Sequence, residues 1–346
     1  MHFRYIAATL FLSLTLFSCA GSSGVLNESE GETEFQGTAV TDGSVQSEAM
    51  AEQYGPAEPT AAQDAAAAAL PPEAPAPIAP PAPPPITPKL CLVLGPGMAK
   101  ALAQAAVLET IQKAKIPVHC VVGTEMGAVV GALFSQANGN ANALQWQLFK
   151  LNNDNYFNFP MLSLRDPKTS GRRLHEFLRD HFRNQSIENL PVRFATVAAD
   201  LERDTTVTFE KGEVAEALSA TLAMPGIFEP WRVGSESLYS GAVSSPAPFE
   251  LARKLGGNFL VLIDVVEDNS NPNASGARFQ KAFSPVRNLI RLQKKEASFV
   301  IQVSAGNLAF DDFSRQGEIL AAGSRAASAA VPELKAAWEK FIASQH

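Results

Sequence analysis

The sequence predicts an α/β protein with three layers, in which helices cover both faces of a mainly parallel central sheet. Three observations favour this class. From residue 89 onward, short continuous apolar runs alternate with longer segments of helical spacing. Each apolar run has the length expected of a strand that is buried on both faces. The strand–helix–strand–helix order implies right-handed crossovers between parallel strands.

The elements follow in order along the chain. A first strand in LCLVL precedes a helix in AKALAQAAVLETIQKAKI, and Pro117 separates that helix from a second buried strand, VHCVV. A glycine turn and another helix come next. Further strands are predicted in RFATVAAD, TTVTFE, NFLVLIDVV and SFVIQV. Further helices are predicted in SGRRLHEFLRDHF, VAEALSATLA, SPAPFELARKL and the C-terminal SRQGEILAAGSRAASAAVPELKAAWEKF.

The first 18 residues are predicted to be a signal peptide and are kept out of the fold. A weakly basic start precedes an apolar run, which ends in Leu16-Phe17-Ser18-Cys19. This ending resembles the lipobox of bacterial lipoproteins, which implies that Cys19 is acylated and anchors the chain to a membrane. Because Ala20 and Gly21 follow instead of Asp, we expect the outer membrane, facing the periplasm. The alternative is an ordinary secretory peptide with a chance cysteine.

Residues 19–88 are predicted to form a disordered tether, and residues 89–346 the folded domain. Ten Asp or Glu and no Lys or Arg lie between Ala20 and Pro88. This acidic stretch has too few large apolar groups to offset the entropy of ordering. The proline-rich end favours polyproline II, which rises ~3.1 Å per residue and holds the domain away from its anchor.

Charge and composition limit the partners of the domain. Beyond residue 88 there are 27 basic and 25 acidic residues, so no basic field indicates a nucleic acid partner. The five histidines show no metal-ligand spacing, and we expect no metal and no cofactor. His175 and His181 lie on a charged helix and are interpreted as solvated. Cys91 and Cys120 are interpreted as buried thiols, with a disulfide between neighbouring strands as the alternative.

The turn after the second strand carries the strongest chemical signal. In VVGTEMGAVVGAL, Gly123 and Gly127 flank a sharp strand-to-helix turn with Glu125 at its apex. In serine acyl hydrolases, a turn of this kind lifts a Ser to the apex as the nucleophile. The turn therefore indicates an active-site elbow with a carboxylate where a hydroxyl is usual.

Four blocks in this order resemble the patatin-like acyl hydrolases, a family of lipid acyl hydrolases and phospholipases A. LCLVLGPGMAKALAQAAVLETI resembles the family's Gly-rich oxyanion segment, and VVGTEMGAVVGALF resembles its nucleophile elbow. The block from ATVAADLERD to NFLVLIDV resembles the part that carries the catalytic Asp. DDFSRQGEILAAGSRAASAAVPEL resembles the closing segment of bacterial members. The resemblance implies the patatin-like fold from about residue 89 to residue 334.

The family's reaction, by resemblance, uses a Ser–Asp dyad and backbone N–H groups that hold the oxyanion. This sequence departs at each element. Glu125 stands at the position of the nucleophile, and Ser240, in Ser-Gly-Ala, stands at the position of the dyad Asp. The Gly-rich segment reads GPGMAKA, with Ala101 in place of a glycine. Pro96 has no N–H to donate, so an oxyanion donor is expected to be lost there. The segment's site positions are Gly95, Pro96, Gly97, Met98 and Lys100.

Three hypotheses follow for the function. The first is a non-hydrolytic member of the family that binds a lipid or acyl ligand, or a protein partner of the cell envelope. In it, Glu125 caps its helix electrostatically and accepts a hydrogen bond from Ser240. The second is an active lipid acyl hydrolase with a swapped dyad, in which Ser240 is the nucleophile and Glu125 the base. Ser244 and Ser245 are further candidates for a relocated nucleophile.

The third hypothesis is a structural lipoprotein of the envelope. Four basic residues fall on one helical face of SPVRNLIRLQKKEASF, where they are suited to contact anionic lipid or polymer. The alternative is a solvated helix face. The four residues are Arg287, Arg291, Lys294 and Lys295.

Overall fold

The computed structural model describes residues 86–150, 169–266 and 277–345. In this part of the chain, eight strands form one central sheet. The strands are β1 (Leu90–Leu94), β2 (Cys120–Gly123), β3 (Arg193–Asp200), β4 (Thr205–Phe209), β5 (Trp231–Val233), β6 (Glu236–Ser240), β7 (Phe259–Asp264) and β8 (Phe299–Gln302).

The sheet is parallel at its centre and antiparallel at one side. The strand order is β5-β6-β3-β2-β1-β7-β8, and β4 also pairs with β3. β1 pairs in parallel with β2 and β7, and the parallel pairing continues from β2 to β3 and from β7 to β8. β4 and β6 run antiparallel to β3. The predicted mainly parallel sheet is confirmed. The Gly-rich segment follows the carboxyl end of β1, which lies between β2 and β7.

Helices flank this sheet. In the described residues they are α1 (Ala103–Lys113), α2 (Met126–Gln136), α3 (Ala141–Leu148), α4 (Arg172–Phe182), α5 (Val214–Leu222), α6 (Phe249–Lys254), α7 (Ala277–Gln293) and α8 (Gln316–Ala343). Short 3₁₀ turns, including Met98–Leu102, Gly241–Val243 and Lys294–Glu296, connect several of them. No helix in these ranges combines the length and the apolar character of a membrane span.

The core lies between the central strands and the helices packed on them. All residues of β1, β2 and β7 are buried, as their uninterrupted apolar composition predicts. α1 and α8 approach each other closely at Gly323, where a Cβ would lie 2.1 Å from the carbonyl oxygen of Ala103. Burying one Val or Leu side chain contributes about 1.5–3 kcal/mol, so these strands hold the sheet firmly. They fix the two chain segments that follow β1 and β2.

The structure corrects the interpretation of the two cysteines. Cys91 and Cys120 are direct neighbours in the parallel register of β1 and β2, with 4.6 Å between their Cα atoms. They form a disulfide, and the prediction of buried thiols is wrong. The strand register, which the sequence pattern does not specify, places the two side chains together.

Some elements were not predicted, and some predictions lie outside the described residues. The β5–β6 hairpin and α3 were missed because both have mixed polar and apolar composition. The signal peptide, Cys19 and the tether up to residue 85 lie outside the described ranges. The domain start at residue 89 stays a prediction, although the Lys89 N–H already donates a hydrogen bond to Asn258 Oδ1 over 2.7 Å.

Candidate functional site

The elbow between β2 and α2 holds Glu125 in a backbone conformation that L-residues rarely adopt. Its φ is 53° and its ψ is −131°. A non-glycine residue held in such a region costs about 1–3 kcal/mol, which the surrounding structure must offset. Gly127 makes the turn possible, because a Cβ there would lie 2.4 Å from the carbonyl oxygen of Gly95. A Cβ on Gly123 would lie 2.8 Å from the backbone of Ala128.

The side chain of Glu125 reaches the Gly-rich segment after β1. Its Oε2 accepts hydrogen bonds from the N–H of Gly97 over 2.9 Å and from the N–H of Met98 over 2.8 Å. Two converging backbone donors are the arrangement with which acyl hydrolases stabilise an oxyanion. We call these two N–H groups the cradle. A carboxylate oxygen of the protein itself occupies the cradle.

The position of Pro96 does not damage the cradle. The donors belong to the next two residues, Gly97 and Met98, so a proline before them removes neither. The expectation that a donor is lost at Pro96 is therefore wrong for this pair. Met98 reaches its position with a φ of 48°, in the left-handed region that favours glycine.

Contacts from three directions fix the Gly-rich segment. A Cβ on Gly97 would lie 2.3 Å from Val265 Cγ2, so the segment following β7 packs directly against it. The Ala99 N–H donates to the carbonyl oxygen of Phe310 over 2.9 Å. The buried amide of Gln104 donates from Nε2 to the carbonyl oxygens of Gly95 and Ile263, over 2.7 and 3.2 Å. The cradle is therefore preorganised by the fold and not by Glu125 alone.

The site is closed to solvent. Glu125 and Ser240 are each 0% exposed, and Lys100 is 1% exposed. The ammonium group of Lys100 lies 4.7 Å from the ring centroid of Phe310, within range of a cation–π interaction. The N–H of Glu125 donates to Thr221 Oγ1 over 3.1 Å. Thr221 is a site residue that was not predicted, because a single Thr in the apolar helix α5 carries no distinctive signal.

Ser240 ends β6 and makes local contacts. Its N–H donates to the carbonyl oxygen of Ala223 over 2.9 Å, and its Oγ accepts from the N–H of Ala242 over 3.2 Å. The hydroxyl thus caps the turn Gly241–Val243. The predicted hydrogen bond from Ser240 to Glu125 is not among the contacts described for these two side chains. The side chain of Glu125 makes no capping hydrogen bond to its own helix, and the electrostatic cap stays a prediction.

The other predicted serines, Ser244 and Ser245, line a cavity whose lining does not include the cradle. Ser244 Oγ accepts from Thr206 Oγ1 over 3.0 Å. Gly241 keeps the chain close to β3 here, because a Cβ would lie 2.4 Å from the carbonyl oxygen of Val197. The structure therefore brings the Glu125 side chain into hydrogen-bond contact with the Gly-rich segment, whereas the described contacts of the serines are with other groups.

The histidines differ from their predicted solvated state. His175 Nδ1 lies 2.9 Å from Ser219 Oγ, and its ring lies 4.5 Å from that of Trp231. His181 Nε2 lies 3.3 Å from Gln136 Oε1. Burial, with smaller effects of Lys150 and Arg183, lowers the pKa of His181 below its usual value. In the described residues no group of three or more potential ligands is placed to hold a metal ion.

The predicted basic stripe is divided in the structure. Lys294 Nζ contacts Asp264 Oδ2 at 2.8 Å and donates to Gln302 Oε1. The ammonium group of Lys294 is therefore paired with a carboxyl group at the end of β7. Lys295 and Arg291 are exposed. Burial raises the pKa of the Asp264 carboxyl, and Lys294 opposes this increase. Lys294 therefore has a structural contact, which weakens the interpretation of the four residues as one lipid-facing surface.

The part of the chain that known proteins match includes the elbow. Residues 92–253 match the family model described as patatin-like phospholipase. An uncharacterized NTE family protein of Mycobacterium bovis is 25% identical over 190 residues, covering 53% of this chain and 51% of the relative. Patatin-like phospholipase domain-containing protein 6 of Mus musculus is 25% identical over 181 residues, covering 51% of this chain and 13% of the relative.

The solved structure of VipD from Legionella pneumophila aligns with a TM-score of 0.44 and 10% identity, over 70% of this chain and 66% of that one. This chain spans about half the length of the mycobacterial relatives it matches. The family model and these relatives support a patatin-like phospholipase family for residues 92–253.

Proposed function

We propose that this chain is a non-hydrolytic patatin-like protein of the cell envelope, which binds an acyl ligand or a protein partner and does not cleave esters. The Glu125 carboxylate in the cradle is the observation that carries this proposal. While the N–H groups of Gly97 and Met98 hold Oε2, they are not available to a substrate oxyanion. The position of the nucleophile is thereby also the position that blocks the oxyanion site.

Chemistry supports the same conclusion. A carboxylate that attacked an ester would form a mixed anhydride and would have to expel an alkoxide without a general acid. Hydrolysis by this family needs a nucleophile, a base and free donors within mutual reach. At the position of the base, Ser240 offers a hydroxyl that accepts a hydrogen bond from Ala242. The described contacts of Glu125, the cradle and Ser240 thus support a chain that does not hydrolyse esters.

Ester hydrolysis by the swapped dyad is the second candidate function, and the contacts of Glu125 and Ser240 disfavour it. General-base activation requires the carboxylate to accept the proton of the Ser240 hydroxyl. The described contacts instead direct Glu125 to the cradle and the Ser240 hydroxyl to the turn that follows it. A fluorophosphonate probe tests this candidate. A covalent adduct on the wild type that disappears in Ser240→Ala would favour the swapped dyad over the binding function.

An acyl ligand fits the chemistry of the site. The cradle binds a carboxylate, and two buried apolar side chains, Met98 within the cradle and Met126 after the elbow, belong to the same segments. A fatty acid carboxylate would compete with Glu125 for the same donors. Titration of the delipidated protein with fatty acids and lysophospholipids tests this version, and Glu125→Ala should bind fatty acid more tightly than the wild type does. No uptake by the wild type would leave only the protein partner.

The envelope location rests on Cys19 and the tether. We propose that Cys19 is acylated and that residues 20–88 hold the domain away from the outer membrane on its periplasmic side. Labelling with palmitate and fractionation of membranes test this, with Cys19→Ala as the control. Palmitate that is incorporated equally in both proteins would contradict the anchor.

An esterase assay tests the loss of hydrolysis most directly. We expect no turnover of a p-nitrophenyl ester or a phospholipid by the wild type, and turnover by the double variant Glu125→Ser, Ser240→Asp. The variant Glu125→Gln keeps the shape of the side chain without its charge and should stay inactive. Wild-type turnover that is abolished by replacing Glu125 would contradict the proposal.

A further inference from the structure

The structure also contains a cavity whose lining does not include the cradle. It is a cavity of about 370 Å³, formed between the β3–β4 hairpin, the segment that follows Ser240 and the end of α7. Small-molecule sites in proteins usually have ~300–1,000 Å³. Neither Glu125 nor any residue of the Gly-rich segment is among its lining residues. The proposed function makes no use of this cavity.

The lining combines a buried apolar floor with a rim of polar side chains. Val197, Phe249 and Leu251 are buried and form part of the floor. The rim carries four hydroxyl groups, a carboxylate and a carboxamide. These belong to Thr206, Thr208, Ser244, Ser245, Glu250 and Gln293.

Several rim groups are already oriented by the protein. Thr206 Oγ1 donates to Ser244 Oγ over 3.0 Å across the cavity wall. The N–H of Ala247 donates to Gln293 Oε1 over 3.1 Å, which directs the amide nitrogen of Gln293 away from that contact. Groups fixed in this way lose little freedom when a ligand binds, and preorganisation of this kind favours affinity.

The charges of the lining exclude several classes of ligand. No Lys, Arg or His is among the described lining residues, so phosphates and carboxylates find no cation there. Glu296 also lines the cavity, but Arg253 contacts it at 3.0 Å and balances its charge. The described residues form no metal-binding group. These observations favour a ligand without negative charge that carries many groups able to donate and accept hydrogen bonds.

We propose that this cavity binds a polyhydroxylated ligand, such as a sugar unit of a glycan. Side-chain hydroxyls both donate and accept, as sugar hydroxyls do. The flat carboxylate of Glu250 can accept from two neighbouring sugar hydroxyls, and the apolar floor suits the C–H face of the ring. The site is independent of the cradle and does not require hydrolysis or acyl binding.

Saturation-transfer difference NMR on the full chain tests the proposal with glucose, N-acetylglucosamine, maltose and myo-inositol. We expect saturable binding of at least one of them. Thr206→Val and Glu250→Gln should each weaken it about three- to tenfold, the effect of one lost hydrogen bond. Thr205→Val, on the neighbouring strand position, and Glu339→Gln, at an exposed position of α8, are matched controls and should bind as the wild type does.

Three results would overturn the proposal. One is the absence of saturable binding by every polyol in the panel. Another is equal binding by the cavity variants and the wild type. The third is tighter binding of an organic amine, such as ethanolamine, which would make the cavity a cation site. Circular dichroism of each variant separates a lost contact from a lost fold, and the esterase assay is unaffected by any of these outcomes.

Discussion

The family resemblance predicts the dyad positions at the elbow around Glu125 and at the turn after Ser240, and the structure holds these two side chains in different ways. The backbone is closely packed at both positions, since a Cβ on Gly127 or Gly241 would lie 2.4 Å from a carbonyl oxygen of another strand or loop. The side chain of Glu125 accepts hydrogen bonds from the cradle, which belongs to a different segment of the chain. The side chain of Ser240 accepts a hydrogen bond from the N–H of Ala242, only two residues along the chain. Equally close backbone packing thus supports two different arrangements of the side chain.

The largest expected effect tests whether the two backbones are equally constrained. We expect Gly127→Ala and Gly241→Ala each to lower the free energy of unfolding by about 3 kcal/mol or more, because the new methyl group meets a carbonyl oxygen that cannot move freely. Urea unfolding measures this. Gly317→Ala is the control, since nothing lies within 4 Å of its Cβ position and alanine favours the helix. A loss in one glycine variant only would break the comparison.

The second prediction concerns the occupant of the cradle. Glu125→Ala leaves the buried N–H groups of Gly97 and Met98 without their acceptor, and an unsatisfied buried donor costs about 1–3 kcal/mol. We expect a loss of about 3 kcal/mol in urea unfolding, and a smaller loss for Glu125→Gln, which keeps an acceptor oxygen. If the two variants have equal stability, the cradle does not depend on an acceptor.

The third prediction tests the support behind the cradle. Asp264 precedes Val265, which packs against Gly97. Burial raises the pKa of Asp264, so above pH ~3.9 the folded state holds a proton that the unfolded state has lost. The free energy of unfolding should therefore fall as the pH rises from about 4 to the pKa of the folded state, with a slope of at most about 1.4 kcal/mol per pH unit.

Urea unfolding at several pH values, compared with Asp264→Asn, measures this contribution. The variant does not titrate at this position, so its stability relative to the wild type should rise over the same pH range. Lys294→Gln removes the cation that favours the charged carboxylate and should extend the range to higher pH. A constant difference between Asp264→Asn and the wild type at all pH values would contradict the raised pKa.

The smallest expected effect belongs to Ser240. Ser240→Ala removes one hydrogen bond from the Ala242 N–H, so we expect a loss of about 1 kcal/mol. Thermal or urea unfolding checks this beside Ser328→Ala, whose exposed hydroxyl bonds only within its helix. A loss as large as that of Glu125→Ala would show that Ser240 has a partner in the site and would remove the contrast between the two positions.

The sequence predicted the parts of the fold where composition decides the structure. β1, β2 and β7 are uninterrupted apolar runs, and the structure buries all of their residues. The β5–β6 hairpin was missed because its strands are short and partly exposed. The disulfide was misjudged because it depends on the register between β1 and β2, which is a property of the assembled sheet.

The site was predicted to the level of segments but not of atoms. The glycine turn and the family resemblance singled out Glu125 and the Gly-rich segment, and the structure shows a hydrogen-bond contact between them that was not predicted. The direction of the side chain was not predictable, because it depends on which N–H groups converge after the loop has folded. Other features were not predictable for the same reason, since they depend on contacts between distant parts of the chain. They are the bond to Thr221, the contacts of His175 and the ion pair that divides the basic stripe.

The disulfide has a consequence for the integrity of the site. Cys91 and Cys120, 29 residues apart, close a covalent ring that contains the whole Gly-rich segment and α1. Closing a loop of this size restricts the unfolded chain by about 3–4 kcal/mol. Peptide-bond cleavage anywhere inside the ring leaves its two ends attached, and the elbow begins three residues beyond it. A protease that nicks α1 would therefore leave a single disulfide-linked molecule, which separates into fragments only after reduction.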